Sequence, residues 1–259
     1  MKQDPQSVDE NRRFFSMADV YDQMAPSLVP GYDFLQDELL RFLRVDSWEK
    51  PVIVDLGAGS GRLLEKVLEA NPTARCCWID YSEDFLRVAK KRLHRFHDRV
   101  DFIIGRMEDD WESSLIGSPD LIISMSAIHH LTSIEKQSLY GKCFKMLSGG
   151  GWFANVDEMQ TIEPSAYLTS LQLWVDHVSQ YRSRVPEADI DAYEEWAAHF
   201  ENWKKRNVEN ADKPKKKGDD LHDLFPDQIA WLRTVGFQRA DVIIKYYLWC
   251  VLVGQKAQE

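Results

Sequence analysis

The sequence predicts an α/β fold in which helices cover both faces of a mostly parallel β-sheet. Three observations predict this class. Short apolar runs alternate with amphipathic stretches between residues 51 and 158, which is typical of βαβ units. The runs are apolar throughout, as expected of strands that are buried on both faces. A glycine-rich turn joins the first apolar run to the first amphipathic stretch, where ligand-binding loops commonly lie.

Two amphipathic helices are predicted before this series, over residues 8–25 and 33–45, with a break at Pro26, Pro30 and Gly31. The series itself is predicted to alternate strands and helices. In chain order its elements are Val52–Leu56, Arg62–Ala70, Ala74–Ile79, Glu83–Phe96, Val100–Gly105, Leu121–Ser124, Ile134–Leu147 and Gly151–Val156. Ligands of such sheets bind at the carboxyl ends of the strands.

The pattern changes after the fifth strand. Residues 159–222 are predicted to be helical and are rich in aromatic residues, and we expect them to form a substrate cap. A helix near Phe225–Val235 follows, and then two strands, Ala240–Lys245 and Leu248–Val253. The short connection between these strands predicts an antiparallel hairpin. The predicted segments are N-terminal helices (1–50), an α/β core (51–158), the helical cap (159–222) and a C-terminal helix and hairpin (223–259).

Composition restricts the function classes. The chain has 32 basic and 42 acidic residues and a formal charge of −10, which disfavours nucleic acid as a partner. No apolar run approaches the length of about 18 residues that a membrane span needs. The four cysteines lack C-x-x-C spacing, which favours reduced thiols over a disulfide framework or a zinc site. We therefore expect a cytoplasmic protein without a membrane partner, and a homodimer remains open.

The strongest chemical signal is a glycine loop, residues 55–61, with the sequence Asp-Leu-Gly-Ala-Gly-Ser-Gly. It fits neither the G-x-G-x-x-G pattern of dinucleotide-binding loops nor the G-K-[ST] ending of a Walker loop. The next strand ends in Asp80, whose carboxylate can accept hydrogen bonds from both ribose hydroxyls of an adenosyl nucleoside. S-adenosylmethionine is such a nucleoside and has no pyrophosphate, so it suits this loop. The alternative is a βα turn without a ligand.

These motifs resemble those of the class I S-adenosylmethionine-dependent methyltransferases, over residues 14–156 and the C-terminal hairpin. The resemblance implies a Rossmann-like, seven-stranded sheet with an antiparallel hairpin at one edge. It also implies that the glycine backbone faces the methionine part of the cofactor and that Asp80 faces the ribose. The cofactor-binding residues expected from these motifs are Asp55, Gly57, Gly59, Gly61, Asp80 and Tyr81.

The N-terminal stretches 14–22 and 29–33 are similar to a helix found in the trans-aconitate type of methyltransferase and in carboxy-S-adenosylmethionine synthases. The resemblance implies that Tyr21 and Tyr32 close over the cofactor, where their ring faces suit a cation. Tyr21 is also a candidate catalytic residue. Ordinary helix packing is the alternative for either tyrosine.

The stretch after the third strand departs from the family pattern. Many members carry an acidic residue there for the adenine amine, whereas this chain has Arg106, which cannot accept a hydrogen bond. Met107 is expected to pack against the adenine, and Glu108 is the remaining candidate acceptor.

On the acceptor side, the resemblance places Ser124 beneath the cofactor, and His129, His130 and Glu158 are candidate catalytic residues. A histidine beside the methyl group can act as a general base. The alternative is that the histidines tie their loop to its neighbour. Asp157, like Glu158, is a candidate to orient the acceptor or take its proton, and it equally fits a cap of the next helix. Adjacent histidines lack metal-ligand spacing, and the sequence indicates no third ligand, so we expect no metal.

In the cap, Trp174, Trp196 and Trp203 are candidates for an apolar pocket, although core packing is the more conservative interpretation. The basic residues between Lys204 and Lys217 are expected to form a solvated, mobile loop rather than a binding site for an anion or nucleic acid.

Together these features predict a methyltransferase that transfers a methyl group from S-adenosylmethionine directly to a small molecule. One alternative is an enzyme similar to carboxy-S-adenosylmethionine synthase, which remodels the cofactor and would need a cation such as Arg206 for the added carboxylate. The other is a non-catalytic protein that only binds the cofactor.

Overall fold

The computed structural model describes residues 17–115 and 117–258, and this part of the chain contains one seven-stranded sheet. Its strands are β1 (Val52–Leu56), β2 (Arg75–Asp80), β3 (Val100–Ile104), β4 (Leu121–Met125), β5 (Trp152–Glu158), β6 (Asp241–Tyr246) and β7 (Trp249–Gln255). They are arranged in the order β3-β2-β1-β4-β5-β7-β6. Strands β1 to β5 are parallel, whereas β7 is antiparallel to both neighbours. The predicted sheet and its hairpin are confirmed.

The α-helices of the described residues are α1 (Ala18–Leu28), α2 (Tyr32–Leu43), α3 (Arg62–Ala70), α4 (Glu83–Arg92), α5 (Ser133–Met146), α6 (Pro164–Tyr181), α7 (Ile190–Lys204) and α8 (Phe225–Val235). The predicted helix Glu83–Phe96 is too long, because α4 ends at Arg92 and a 3-10 turn follows. The start of the predicted first helix, over residues 8–16, lies outside the described residues. No described helix is both long and apolar enough to cross a membrane.

The sequence predicts that Pro26 ends the first helix, but α1 continues through it to Leu28. A proline inside a helix leaves the carbonyl four residues earlier without its helical donor. Here that carbonyl belongs to Asp22, and Arg62 Nη2 donates to it at 2.6 Å. The Asp22 carboxylate binds Arg62 and also Arg92, at 2.9 and 2.6 Å. The helix tolerates its proline because an arginine replaces the missing donor.

The N-terminal helices and the cap share one hydrophobic core with a face of the sheet. Trp174 of α6 donates its indole N–H to the carbonyl of Leu28, at the end of α1, at 2.8 Å. Trp196 and Trp203 of α7 are buried as well, and the Phe200 ring stacks against both. The three tryptophans therefore belong to the core, in agreement with the more conservative interpretation of the sequence.

The basic stretch at the end of the cap is largely exposed, as the sequence predicts, but several of its charges are paired within the chain. Lys215 donates to the carbonyl of Asp220 at 2.8 Å. Lys217 forms an ion pair with Glu135 of α5, and Arg206 lies 3.1 Å from the Asp220 carboxylate. The pair between Lys217 and Glu135 joins the end of the cap to the start of α5, and the other two contacts lie within the cap.

Candidate active site

The glycine loop joins β1 to α3 at the carboxyl edge of the sheet, where the strand order reverses between β1 and β4. Gly57, Gly59 and Gly61 have φ values of 66°, 50° and 78°, a region that glycine adopts without strain. A Cβ on Gly57 would lie 2.4 Å from the Cβ of Ala127. A Cβ on Gly59 would meet only Phe85, at 4.0 Å. The backbone at Gly59 therefore borders open space.

Two buried carboxylates lie against this loop. Asp80, at the end of β2, accepts hydrogen bonds from the backbone N–H groups of Gly59 and Ser82, each at 2.9 Å. Asp55 is buried in β1, and its Oδ1 has no hydrogen-bond partner among the described residues. Burial raises the pKa of both carboxyls, and the Asp80 charge raises that of Asp55 further. The loop thus presents a buried carboxylate oxygen that lacks a donor.

Three residues, 106–108, follow β3 closely. One of them lies against the glycine loop, and the other two contact other parts of the molecule. The Met107 side chain lies 3.1 Å from the position that a Cβ on Gly57 would take, so it forms one wall of the glycine loop. Arg106 stacks over the ring of Tyr81, 4.3 Å from its centroid. The Glu108 carboxylate lies 3.6 Å from Lys217 of the cap. The candidate acceptor for the adenine amine is therefore paired with a lysine.

Tyr32 is buried near the carboxyl edge of the sheet, and Tyr21 is partly buried beside it. The Tyr21 ring meets Phe85 edge-on, with centroids 5.7 Å apart, and its hydroxyl lies near the side chain of Ser126. Burial raises the pKa of Tyr21 to about 12. Burial and the neighbouring Tyr21 also raise the pKa of Tyr32. Both phenols are neutral at physiological pH, and both lie near Arg62, the residue that follows the glycine loop.

Two serines mark the end of β4. Ser124 is buried and donates its hydroxyl to the Leu56 carbonyl at 2.7 Å, which ties β4 to β1. Ser126 has a φ of 54°, a conformation that costs a residue with a Cβ about 1–2 kcal/mol. Its N–H donates to Val156 of β5 at 3.0 Å. Strain of this kind is concentrated at functional sites, so the structure adds Ser126 to the candidate site.

The two adjacent histidines have different surroundings. His129 is buried, and Asp157 accepts from its backbone N–H at 2.9 Å and lies 2.5 Å from its Nδ1. Burial disfavours the charged imidazole, but the charges of Asp157 and Glu158 outweigh this and raise the pKa of His129 to about 9. Burial and the nearby His129 lower the pKa of His130 to about 4. The structure favours the interpretation in which His129 ties its loop to β5.

Asp157 does not cap the helix that follows it. The residue before α6 is Glu163, and its carboxylate accepts from the N–H of Ala166 at 2.9 Å. Asp157 is instead committed to His129, because its side chain points to the loop after β4.

Glu158 lies beside a histidine that the sequence analysis does not single out. Glu158 is buried at the end of β5, and its Oε2 lies 2.9 Å from Nε2 of His222. The other ring nitrogen of His222 lies 2.6 Å from the hydroxyl of Tyr167 in α6. This chain of three side chains connects the edge of the sheet to the cap. No spacing pattern links the three residues in the sequence, so only the fold reveals them together.

A cleft of about 430 Å³ opens beside this chain of side chains. Its lining includes Thr132, Tyr167 and His222, together with four lysines at the end of the cap: Lys213, Lys215, Lys216 and Lys217. The volume falls within the range of about 300–1,000 Å³ that is typical of small-molecule sites. Another cavity, of about 560 Å³, is lined by Trp152 at the amino end of β5, away from the glycine loop.

Comparison with known proteins gives a family match over the core. A family model described as a methyltransferase domain matches residues 54–153. The chain is 33% identical over 99 residues to the malonyl-[acyl-carrier protein] O-methyltransferase of Bacillus cytotoxicus, covering 38% of this chain and 32% of that protein. It is 22% identical over 241 residues to the carboxy-S-adenosyl-L-methionine synthase of Nautilia profundicola, covering 93% and 92% of the two chains. The chain thus spans about a third of the first relative's length.

A solved structure shares the fold. Human N-acetylserotonin methyltransferase in complex with S-adenosylmethionine superposes with a TM-score of 0.52 at 13% identity, covering 97% of this chain and 57% of that one. At this identity the likeness concerns the arrangement of the backbone alone.

Proposed function

We propose that this chain, a member of the class I S-adenosylmethionine-dependent methyltransferase family, transfers the methyl group of S-adenosylmethionine to a small molecule. The observation that carries the proposal is the glycine loop with its two carboxylates. The open space at Gly59 admits a ligand against the backbone. The unpartnered Oδ1 of Asp55 suits the ammonium of the methionine part. Asp80 retains acceptor sites for ribose hydroxyls, since a carboxylate offers about four.

The remaining assignments follow from this placement. The methionine part lies along Gly57 and Gly59, and the adenine lies against Met107, which walls the loop. Ser124 supports the cofactor from below through its bond to β1. When bound, S-adenosylmethionine supplies a sulfonium methyl group that a nucleophile takes by direct displacement. The protein therefore has chiefly to align the two reactants and to exclude water.

The neutral phenols of Tyr21 and Tyr32 perform this alignment at the sulfonium. Their ring faces attract a cation, and their raised pKa values keep them uncharged. An ionised phenolate would instead compete with the acceptor for the cation. The hydroxyl of Tyr21, which lies near Ser126, is assigned to bind an acceptor oxygen or nitrogen.

A proton leaving the acceptor is taken by Glu158 together with His222, whose Nε2 lies 2.9 Å from its carboxylate. His129 is assigned a positioning role, because Asp157 accepts from its backbone N–H at 2.9 Å and lies 2.5 Å from its Nδ1. An acceptor in the 430 Å³ cleft lies beside His222.

Calorimetric titration with S-adenosylmethionine tests the cofactor. We expect wild-type protein to bind it and Asp80→Ala to weaken binding at least tenfold, because the ribose loses its acceptor. Asp98→Asn, an exposed carboxylate in a turn, is the matched control and should bind as wild type does. Equal affinity of the Asp80→Ala variant would contradict the placement of the cofactor.

Incubation with methyl-labelled cofactor and a filtered cell extract tests the reaction. We expect label in a low-molecular-weight product together with S-adenosylhomocysteine, and a lower turnover number at unchanged cofactor affinity in Glu158→Gln. Label found only in macromolecules would refute the small-molecule acceptor. Cofactor binding with no transfer to any fraction would leave the non-catalytic alternative.

The near full-length match to a carboxy-S-adenosyl-L-methionine synthase supports a second candidate function, in which the cofactor itself is modified. Arg206 is the cation that the sequence offers for an added carboxylate. Its Nη2 lies 3.1 Å from Asp220, however, so its charge is already paired. This pairing favours methyl transfer. The mass of the cofactor that copurifies with the protein separates the two functions, because a carboxylated cofactor is heavier than S-adenosylmethionine.

We also propose that the protein acts in the cytoplasm. Its cysteines, Cys76, Cys77, Cys143 and Cys250, are free and buried, and reduced thiols are typical of that compartment. Alkylation of thiols during cell lysis, followed by mass spectrometry, should find all four reduced.

A further inference from the structure

A carboxylate of the cap lies beside both histidines that follow β4. Asp220 is buried at the end of the charged stretch, and its Oδ1 lies 3.8 Å from Nε2 of His129 and 4.0 Å from Nδ1 of His130. One ring nitrogen of each histidine and one carboxylate oxygen of Asp220 all lie within 4.8 Å of one another. No spacing pattern in the sequence pairs Asp220 with the histidines, so the third ligand that the sequence lacks becomes visible only in the fold.

Oδ2 of Asp220 and Nδ1 of His129 are already engaged, and Nδ1 of His130 lies 3.5 Å from the carbonyl of Asp219. Asp220 Oδ2 accepts from Asn207 at 2.8 Å and from Arg206 at 3.1 Å. Asp157 holds Nδ1 of His129 at 2.5 Å. These contacts leave Oδ1 of Asp220 facing Nε2 of His129 across a distance that is too long for a hydrogen bond. A cation between the two atoms would satisfy both.

We propose that His129, His130 and Asp220 form a site for a divalent first-row transition metal ion, and that Zn²⁺ suits it best. Two imidazole nitrogens and a carboxylate oxygen are donors that Zn²⁺ prefers. Bonds of about 2.0–2.2 Å bring ligand atoms to roughly 3–3.5 Å from one another, so the three atoms need to converge by about 1 Å. Three protein ligands leave one position open for water or a small molecule.

The surroundings resemble those of established metal sites. A histidine that binds a metal usually donates its other ring N–H to a carboxylate, which fixes the ring and its tautomer. Asp157 provides this contact for His129, and Arg206 with Asn207 orients Asp220 in the same way. Because the histidines follow β4 and Asp220 ends the cap, the ion fastens the cap to the edge of the sheet. The alternative to a metal ion between Nε2 of His129 and Oδ1 of Asp220 is a proton on that nitrogen.

Titration with Co²⁺, whose visible absorption reports nitrogen and oxygen ligands, followed by displacement with Zn²⁺, tests the site. We expect one equivalent to bind to the wild-type protein with a micromolar or lower Kd. His130→Gln and Asp220→Asn should each weaken binding at least tenfold. His97→Gln is the matched control, since the exposed rings of His94 and His97 lie 6.0 Å apart and form a pair of histidines on the surface that could also bind the metal. It should leave the affinity unchanged.

His130 is the informative position, because its side chain is the most exposed of the three, at 38%, and its removal should leave the fold intact. Zn²⁺ should raise the Tm of the wild-type protein and leave that of His130→Gln unchanged. Wild-type affinity in His130→Gln, or loss of binding in His97→Gln, would overturn the proposal in favour of the proton or of surface binding. S-adenosylmethionine affinity, measured on the same metal-free samples, tests the proposed function separately.

Discussion

At the scale of single residues, the candidate site contains features that oppose folding. Asp55 is buried with an unpartnered carboxylate oxygen, and Ser126 holds a left-handed backbone at the end of β4. A buried unsatisfied polar group costs about 1–3 kcal/mol, and the strained backbone costs a similar amount. Chains depart from local rules mainly where a ligand requires it. Replacing such a residue should therefore stabilise the fold and weaken ligand binding.

Asp55→Asn should show this exchange. Burial raises the pKa of Asp55 in the folded chain above the ordinary value of 3.8, so folded protein retains this proton longer than unfolded protein. Ionisation of Asp55 therefore lowers the free energy of unfolding as the pH rises from about 4 through the pKa of Asp55 in the folded protein. The loss is about 1.4 kcal/mol for each unit by which folding raises this pKa. Asparagine does not titrate there.

The stability advantage of Asp55→Asn, measured by urea unfolding, should accordingly grow as the pH is raised from 4 to 7. Its Kd for S-adenosylmethionine should rise at least tenfold. Asp101→Asn, an exposed carboxylate in β3, controls for the general loss of a charge. A stability difference that does not depend on pH would contradict the burial of an ionisable group at Asp55.

Two glycines of the loop should respond differently to alanine. Gly57→Ala adds a Cβ that would lie 2.4 Å from that of Ala127, so overpacking and backbone strain together should cost about 2–5 kcal/mol. Gly59→Ala meets no close atom and should cost about 1–2 kcal/mol. Its Cβ would enter the space assigned to the cofactor. Urea unfolding and calorimetry should therefore find Gly59→Ala folded but binding at least tenfold more weakly. Wild-type affinity in this variant would contradict the assignment.

The sequence predicts those parts of the site that lie in one continuous motif. The glycine loop and Asp80 follow from spacing alone, because a strand, a turn and a helix fix their relative positions. Glu158 with His222, and Asp220 with His129, cannot be predicted in this way. Each pair joins the sheet to a distant part of the cap, and no local periodicity encodes that contact.

At the scale of elements, the predicted strands agree with the structure to within two residues, because buried parallel strands are continuous apolar runs. The error in the first helix has a different origin. Local rules end a helix at a proline such as Pro26, whereas here a guanidinium from α3 supplies the missing donor. A tertiary contact of this kind cannot be read from the helix itself.

The ion pairs of the Asp22 carboxylate predict that Asp22→Asn loosens the attachment of α1. The Asp22 carboxylate lies 2.9 Å from Arg62 and 2.6 Å from Arg92, and charged hydrogen bonds of this kind contribute about 1.5–3 kcal/mol. Because α1 carries Tyr21, the variant should lose about that stability and also bind S-adenosylmethionine more weakly. Hydrogen exchange should accelerate in α1 more than in the sheet.

The matched control is Asp33→Asn, whose carboxylate is half exposed and pairs with Lys66 at 3.0 Å. An exposed pair contributes at most about 1 kcal/mol, so this variant should change neither exchange in α1 nor affinity noticeably. If the two variants behave alike, the partly buried Arg62 and Arg92 do not anchor the helix.

At the scale of the whole molecule, one core joins the N-terminal helices, the cap and a face of the sheet. The second core lies on the other face, between the sheet and helices α5 and α8. A ligand that binds at the carboxyl edge contacts elements that belong to both cores. Its binding energy should consequently stabilise the molecule as a unit rather than the glycine loop alone.

The cysteines offer a probe of this coupling, because they are buried in different parts of the fold: Cys76 and Cys77 in β2, Cys143 in α5 and Cys250 in β7. Burial raises the pKa of Cys77 and of Cys250 to about 12, and the thiolate is the reactive form. Labelling therefore requires unfolding. S-adenosylmethionine at 100 times its Kd adds about 2.7 kcal/mol of stability and should slow labelling about 100-fold at every cysteine, as measured by mass spectrometry. Asp80→Ala should show little slowing at the same concentration. Protection of Cys76 and Cys77 alone would mean that β2 unfolds independently of α5 and β7, and would contradict a sheet and helices that respond together.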